Sequence, residues 1–262
     1  MNTVNASLVI AAHGTRIAEG QAATRELTRL VRDLLPETDV REAFVELDTP
    51  SIDEAVAAGI AAGEQVVVPL MVGTGGHVRE DIPEAIEAAA SATDAPVRYT
   101  SHLGPDPRLR SAVRQRIAAV TTDWEPSDTT VVFLGRGCSV TDANADHVRL
   151  GRVLYEEGGY AAVFEAFIQV VQPDLQGALD RAYACGGRRI VVAPNFLFPG
   201  RLQRWASRNV DTWSAAHPDA EVRMSDVIGP CPELAGVVVD RYHEALARPY
   251  DEVSYRTALV AE

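Results

Sequence analysis

Short runs of apolar, often β-branched residues alternate with longer segments of helical spacing along the first half of the chain. The runs predict strands at 7–12, 40–47, 65–72 and 96–101. Apolar residues three and four positions apart predict helices between them, as at Leu27, Leu30, Val31, Leu34 and Leu35. The run around Val67 and Val68 is apolar without alternation, which is typical of a parallel strand buried on both faces. The alternating order predicts an α/β fold with right-handed crossovers.

The same pattern starts again after a polar stretch at 122–128. Strands are predicted at 130–134, 162–170, 189–196 and 221–227, and helices at 141–157, 173–185, 202–216 and 232–246. His13-Gly14 matches Arg136-Gly137, and Glu46 matches Gln169, both at an offset of 123 residues (13 to 136, 46 to 169). Matches at successive strand ends indicate an internal duplication. We expect two similar, doubly wound parallel sheets of flavodoxin-type topology, with a cleft between them.

The repeat predicts where the lobes begin and end. The first lobe is predicted to span residues 1–124 and to carry the reactive residues, with a linker at 125–128. The second, degenerate lobe is predicted to span 129–247. Residues 248–262 lie beyond the repeat, and the sequence gives them no role.

Composition narrows the class of partner and the compartment. The 262 residues carry a formal charge of −13, and all 24 basic residues are arginine, so nucleic acid is not expected as a partner. No apolar run approaches the roughly 18 residues of a membrane span, and residues 1–6 show no export signal. The three cysteines have no metal-ligand spacing. We therefore expect a reduced, cytoplasmic protein that is a monomer or a homodimer.

Candidate chemistry lies where the predicted strands end, because open α/β sheets bind ligands beyond the carboxyl ends of their strands. In the first lobe, His13 and Glu46 follow two of these strands, and His77 follows a third. Imidazole and carboxylate together suit divalent ions such as Fe²⁺, Co²⁺, Ni²⁺ or Zn²⁺, and they also suit proton abstraction. The second lobe has Arg136 and Gln169 at the matched positions. The first lobe is therefore the predicted reactive one, and the second a wall or an anion clamp.

Several motifs at these strand ends resemble those of the sirohydrochlorin chelatase family, the class II tetrapyrrole chelatases of the siroheme and anaerobic cobalamin routes. They are His13-Gly14-Thr15, the segment FVELDTPS at 44–51 and the segment VPLMVGTGGHVREDIP at 68–83. In the second half, DANAD at 142–146 and NFLFPG at 195–200 resemble the second lobe of the long, two-lobed members. The resemblance extends to about Leu246.

The resemblance implies an enzyme that inserts Fe²⁺ or Co²⁺, with Ni²⁺ a further candidate, into sirohydrochlorin without ATP or an organic cofactor. It assigns His13 and His77 to holding the metal or taking the pyrrole protons, with Glu46 as the acidic residue facing them. We hypothesise that His13 is the main metal ligand and that His77 and Glu46 form a ligand and base pair. The metal is a substrate in this reaction.

Sirohydrochlorin is a polycarboxylate, so an acidic protein that binds it needs a local basic lining. The arginines expected on or near loops at the strand ends are Arg16, Arg79, Arg136, Arg201 and Arg204, and the first four of them are the predicted substrate-binding residues. The backbone of Gly75 and Gly76 is expected to approach the edge of the ring, since glycine has no side chain to interfere.

Two other functions suit parts of the pattern. A tetrapyrrole or metal carrier would use the same residues without turnover. A histidine phosphatase is less favoured, because its phosphate-binding loop needs an arginine directly before the histidine, and Ala12 precedes His13. His102 is expected to be structural or to lie at the rim of the site. The remaining histidines, His147, His217 and His243, are expected to be exposed to solvent.

Overall fold

A computed structural model describes residues 6–91 and 95–260 of the chain. Residues 1–5, on which the expectation of no export signal rests, and residues 261–262 of the predicted tail lie outside the described residues. The chain divides into two compact units, and each contains one four-stranded parallel sheet. Within the described residues, no helix is both long and apolar enough to span a bilayer.

The first sheet has the strand order β2-β1-β3-β4, and all of its strand pairs are parallel. Its strands are β1 (Ser7–Ala12), β2 (Val40–Phe44), β3 (Gln65–Pro69) and β4 (Val97–Tyr99). The connecting segments contain the helices α1 (Ala18–Leu34), α2 (Ile52–Gly59) and α3 (Ile82–Ala90), and helix α4 (Pro107–Val120) follows β4. The residues of β1 and β3 are buried, and for β3 the unbroken apolar run around Val67 and Val68 predicted this.

The second sheet repeats this topology with the order β6-β5-β7-β8. Its strands are β5 (Thr130–Gly135), β6 (Ala162–Phe167), β7 (Arg189–Pro194) and β8 (Glu221–Met224). The helices that follow them are α5 (Thr141–Gly158), α6 (Leu175–Ala184), α7 (Arg201–Ala216) and α8 (Pro232–Ala247). The predicted α/β class and the two similar sheets are confirmed.

The helix that ends each sequence repeat belongs to the compact unit of the other repeat. One unit contains the described residues up to Gly104 together with those from Pro230 onward, and the other contains Pro105 to Gly229. Accordingly, α4 contacts β7 and α5, whereas α8 contacts α1 and β3. This division differs from the predicted lobes at 1–124 and 129–247. Each predicted lobe followed one sequence repeat, whereas the last helix of each repeat packs in the other compact unit.

Proline ends the central strand of each sheet earlier than the apolar run suggested. β3 stops at Pro69 and β7 at Pro194, although the predictions extended to 72 and 196. A proline has no N–H to continue the ladder. After β2 and β6, the backbone turns outward through Leu47 (φ 67°) and Val170 (φ 72°), again at the offset of 123. These turns explain why β2 and β6 are shorter than predicted.

A π-helical turn, His77–Asp81, leads directly into α3 and was not predicted. The sequence does contain a signal for the start of α3. Ile82 and Ile86 are four residues apart, and Pro83 lies in the first turn of the helix, where its missing N–H costs nothing. Val78 is the buried residue of the turn, and its carbonyl accepts a hydrogen bond from the Tyr99 hydroxyl at 2.9 Å. The turn that carries His77 is therefore anchored to β4.

The tail after α8 covers the β4 edge of the first sheet. It contains α9 (Tyr250–Val253) and α10 (Tyr255–Val260), and Ser254 forms an antiparallel bridge with Arg98. The Tyr255 side chain is buried in the same apolar cluster as Val78, Ile82 and Tyr99. Covering an edge strand removes a site of unwanted pairing, and the tail also packs behind the turn that carries His77.

Replacing Tyr255 with alanine is expected to lower the free energy of unfolding by about 3–5 kcal/mol, because it empties a fully buried aromatic site. Tyr255→Phe keeps the ring and loses the hydrogen bonds of the hydroxyl with Glu87 and Arg256, so it is expected to cost about 1–2 kcal/mol. Urea unfolding of both variants measures the difference. Equal, small losses would show that the tail does not contribute to the core.

The expectation that His147 is exposed was wrong. Its side chain lies in the core of the second unit, stacked on Phe133 with ring centroids 4.6 Å apart, and its Nε2 is 3.2 Å from the Phe133 carbonyl oxygen. His217 is half-buried, stacked on Trp213, and so was also wrongly expected to be exposed, while His243 is exposed as expected. Burial lowers the pKa of His147 to about 4, since the charged form would lose its hydration.

This lowered pKa predicts a loss of stability in mild acid. Between about pH 6.5 and pH 4, the unfolded chain binds a proton at His147 and the folded chain does not, so stability falls as the pH falls. The loss is expected to reach about 3 kcal/mol at pH 4. His147→Gln retains a donor and does not titrate, so its unfolding free energy should change less over this window. An identical pH dependence in both proteins would contradict the assignment.

Candidate functional site

His13 lies directly after β1, at the carboxyl edge of the first sheet. The following residue, Gly14, has φ 92°, and a Cβ placed on it would lie 1.7 Å from the carbonyl oxygen of Glu46. Only glycine fits this conformation and this close approach. The tight turn after β1 therefore sets His13 against the loop that follows β2.

Glu46 is held beside His13 by the backbone. Its N–H donates to the His13 carbonyl oxygen at 3.0 Å, which extends the parallel pairing of β1 and β2 past their ends. The side chains then meet, with 3.7 Å between His13 Nε2 and Glu46 Oε1. About half of the Glu46 side chain and a third of the His13 side chain are exposed, so both reach solvent at this edge.

His77 reaches the same point from β3. The chain leaves Pro69, passes through the glycine-containing segment 73–76 and enters the π-helical turn with His77 as its first residue. The His77 ring meets the His13 ring edge to face, with centroids 4.6 Å apart. The structure thus brings together the two imidazoles that lie 64 residues apart in the sequence (13 and 77).

Each histidine has an oxygen beside its Nδ1. For His13 this is the carbonyl oxygen of Gly14, at 3.2 Å, and for His77 it is Oδ2 of Asp81, at 2.5 Å. An oxygen acceptor at Nδ1 favours the tautomer whose proton is on Nδ1, which leaves the lone pair on Nε2. Asp81 was not among the predicted site residues, although its four-residue spacing from His77 was a usable signal.

The predicted three ligands, His13, His77 and Glu46, do not form a preassembled metal centre. No group of three or more His, Cys, Asp or Glu side chains in the described part of the chain is arranged to hold a metal ion. Two ligands at about 2.1 Å from one ion lie roughly 3–4 Å apart. The 3.7 Å between His13 Nε2 and Glu46 Oε1 falls in this range, so the spacing of these two atoms is compatible with two ligands of one ion.

The predicted glycine loop is open. A Cβ placed on Gly75 or Gly76 would have no atom of the described structure within 4 Å, so the packing of the chain itself does not require glycine at these positions.

The four predicted arginines are exposed and lie at sheet edges. Arg16 follows the His13 turn, and Arg79 lies in the π-helical turn. In the second unit, Arg136 follows β5 and Arg201 begins α7. Among the described residues, none of the four has a carboxylate within ion-pair distance, whereas Arg98 and Arg223 are paired with Glu64 and Asp123. These guanidinium groups are therefore available to an anionic ligand.

The second unit repeats the backbone of this site without its imidazoles. Gly137 has φ 78°, and its Cβ would lie 2.1 Å from the carbonyl oxygen of Gln169. The Gln169 N–H donates to the Arg136 carbonyl oxygen at 3.2 Å, as Glu46 does to His13. In the first unit, His102 follows β4, and its carbonyl oxygen accepts a hydrogen bond from Arg241 of α8 at 3.2 Å.

Two duplicated parallel sheets, one of which presents paired imidazoles beside a carboxylate, define a two-lobed α/β protein of the chelatase type. The chain matches the CbiX family model twice, over residues 7–120 and 130–245, and it belongs to that family. The second match also confirms the duplication inferred from the offset of 123.

Relatives that are named for an enzymatic activity match nearly the whole chain. A sirohydrochlorin cobaltochelatase of Priestia megaterium is 28% identical, covering 92% of this chain and 80% of its own length. A sirohydrochlorin ferrochelatase of Bacillus subtilis is 25% identical, covering 96% and 98%. The structure of SirB from Bacillus subtilis with Fe³⁺ superposes with a TM-score of 0.83 at 24% identity, covering 96% of this chain and 99% of that one. This last likeness establishes the fold.

Proposed function

We propose that this chain is a chelatase that inserts Fe²⁺ or Co²⁺ into sirohydrochlorin. The observation that carries the proposal is the meeting of His13 and His77 beside Glu46 at an exposed sheet edge. Membership of the CbiX family and the names of the relatives support sirohydrochlorin as the tetrapyrrole. The proposal includes both metals as substrates, because one relative is named for cobalt and another for iron.

His13 is proposed as the main ligand of the incoming metal. Its Nδ1 lies beside the Gly14 carbonyl oxygen, so Nε2 offers its lone pair on the side where Glu46 lies. A neutral imidazole suits borderline divalent ions, and a carboxylate beside it adds charge attraction. His77 and Glu46 are proposed to complete the grip on the metal and to accept the pyrrole protons that leave as the metal enters.

An incomplete ligand set suits a metal that must be handed over. A closed tetrahedral site of four protein ligands would hold the ion as a structural centre. Here the partial set leaves coordination positions to water and then to the nitrogens of the macrocycle. The open edge therefore supports transfer of the ion.

Arginines without a carboxylate partner among the described residues are proposed to supply the charge that a polycarboxylate needs. The chain has a net charge of −13, so its long-range electrostatic field would repel an anionic ring unless cations close to the site oppose it. Arg16 and Arg79 lie on the same segments as His13 and His77, and they are proposed to bind carboxylates of the ring through paired N–H donors. The same role is proposed for Arg136 and Arg201, and the open loop at Gly75 and Gly76 is proposed to let the ring edge approach the backbone.

The test is anaerobic incubation of the protein with sirohydrochlorin and, in parallel, Fe²⁺, Co²⁺ or Ni²⁺, followed by the shift of the Soret band. We expect the protein to accelerate the shift with at least one of these ions relative to the protein-free reaction. Rates equal to the protein-free reaction with all three ions would contradict the proposal.

A further inference from the structure

Asp81 closes the turn that His77 opens. The His77 Nδ1 and Asp81 Oδ2 atoms are 2.5 Å apart, and the two residues are the first and last of the π-helical turn. The side chains are 26% and 49% exposed, so the pair lies at the surface of the sheet edge and not in the core. Single π turns occur frequently at functional sites.

The pair determines which nitrogen of His77 is free. An ionised carboxylate only accepts hydrogen bonds, so the Nδ1 of a neutral His77 carries the proton and donates it to Asp81. The lone pair then resides on Nε2. Rotation of the ring about its bond to Cβ would break this contact, so Asp81 also fixes the orientation of the ring relative to His13, whose centroid is 4.6 Å away.

We propose that Asp81 is a positioning residue for metal insertion, which holds His77 in the tautomer and orientation that direct Nε2 towards the metal substrate. The inference rests on the proposed function of His77. Residues that orient a metal-binding histidine through its other nitrogen typically contribute about 10–100-fold to metal affinity or activity. An exposed helix ion pair without this role contributes little to stability and would leave the affinity for the metal unchanged.

The first test is kinetic. Asp81→Ala is expected to raise the KM for Co²⁺ by about 10–100-fold while leaving the KM for sirohydrochlorin unchanged. Asp81→Asn retains an oxygen acceptor, so its KM for Co²⁺ is expected to lie between those of the wild type and Asp81→Ala. Glu80→Gln is the matched control, because Glu80 is an exposed acid next to Asp81 in the same turn, and its removal changes the charge equally.

The second test reads the tautomer directly. In ¹⁵N NMR spectra at a pH where His77 is neutral, its Nδ1 is expected to be the protonated nitrogen in the wild type and in Glu80→Gln. In Asp81→Ala, the His77 signals are expected to shift towards the Nε2-protonated form. His77→Ala assigns the signals, and a merely structural role for Asp81 would leave the tautomer unchanged.

The outcomes separate the inference from the proposed function. If His77→Ala inserts metal at the wild-type rate, the proposed role of His77 fails. If His77→Ala loses insertion but Asp81→Ala keeps both the wild-type tautomer and the wild-type KM for Co²⁺, the role of Asp81 is refuted while the proposed function stands. An equal rise of the KM for Co²⁺ in Glu80→Gln would also refute the role of Asp81, because it would show that the loss of one negative charge explains the effect.

Discussion

Replacing His13 with alanine is expected to lower kcat for metal insertion into sirohydrochlorin by about 100-fold or more. The substitution removes the nitrogen that lies 3.7 Å from Glu46 and beside His77, and no other imidazole follows β1. Because His13 is the proposed main ligand of the metal, its loss is expected to cost at least as much as the loss of a positioned acid–base group, which contributes about 10²–10⁴-fold. Anaerobic initial rates at saturating metal and tetrapyrrole measure the change.

His243→Ala is the matched control for this experiment. His243 belongs to the same unit, on α8, and is exposed, so its loss deletes the same side chain away from the sheet edge. We expect wild-type insertion rates in His243→Ala and a loss of unfolding free energy below about 1 kcal/mol in both variants. A His13→Ala protein that keeps wild-type turnover would remove His13 from the mechanism.

Gly14→Ala is expected to have the largest combined effect on stability and activity. The added Cβ would lie 1.7 Å from the Glu46 carbonyl oxygen, and φ at this position is 92°. Backbone strain and overpacking together are expected to lower the free energy of unfolding by about 2–4 kcal/mol. The shift also separates His13 from Glu46, and a misplacement of about 1 Å can cost about 100-fold in rate.

Gly159→Ala separates strain from contact. Gly159 also has a positive φ, 66°, at the end of α5, but its Cβ would have no described atom within 4 Å. We expect it to lose about 1 kcal/mol of unfolding free energy and to keep its insertion rate. Urea unfolding and initial rates report both quantities. If Gly14→Ala resembles Gly159→Ala in stability and rate, the close approach of the two loops is not required.

The sheet topology was predictable because local patterns determine it. Parallel strands buried on both faces leave apolar runs such as the one around Val67, and the constant offset of 123 residues exposed the duplication. The boundaries at Pro69 and Pro194 were less predictable, since the predicted strands continue past the last residue of each observed strand. Proline marks these ends once its missing N–H is taken into account.

Features that depend on long-range contacts were not predictable in the same way. The exchange of α4 and α8 between units leaves no trace in the repeat, because both helices have ordinary amphipathic patterns. Tyr255 of the tail is buried in the core, which could not be predicted because its sequence neighbours are polar. His147 was assigned to solvent from its type, although a stacked, hydrogen-bonded imidazole fits a core.

The candidate site was largely predictable in its members. The carboxyl ends of parallel strands lie at one edge, so residues following β1, β2 and β3 converge there, and His13, Glu46 and His77 do so. Their roles in insertion stay predictions until variants are measured. The contact between His77 and Asp81 depended on a π-helical turn, a local geometry that the glycine-rich segment before it obscured.

Counting the rings metallated by each chain tests the central claim most directly. Protein is mixed anaerobically with a hundredfold excess of sirohydrochlorin and of Co²⁺ or Fe²⁺, and the product is quantified after correction for the protein-free reaction. A catalyst built on the His13, His77 and Glu46 edge is predicted to convert many rings per chain with at least one of the two ions. A plateau at one ring per chain or fewer with both ions would contradict it and would identify a carrier.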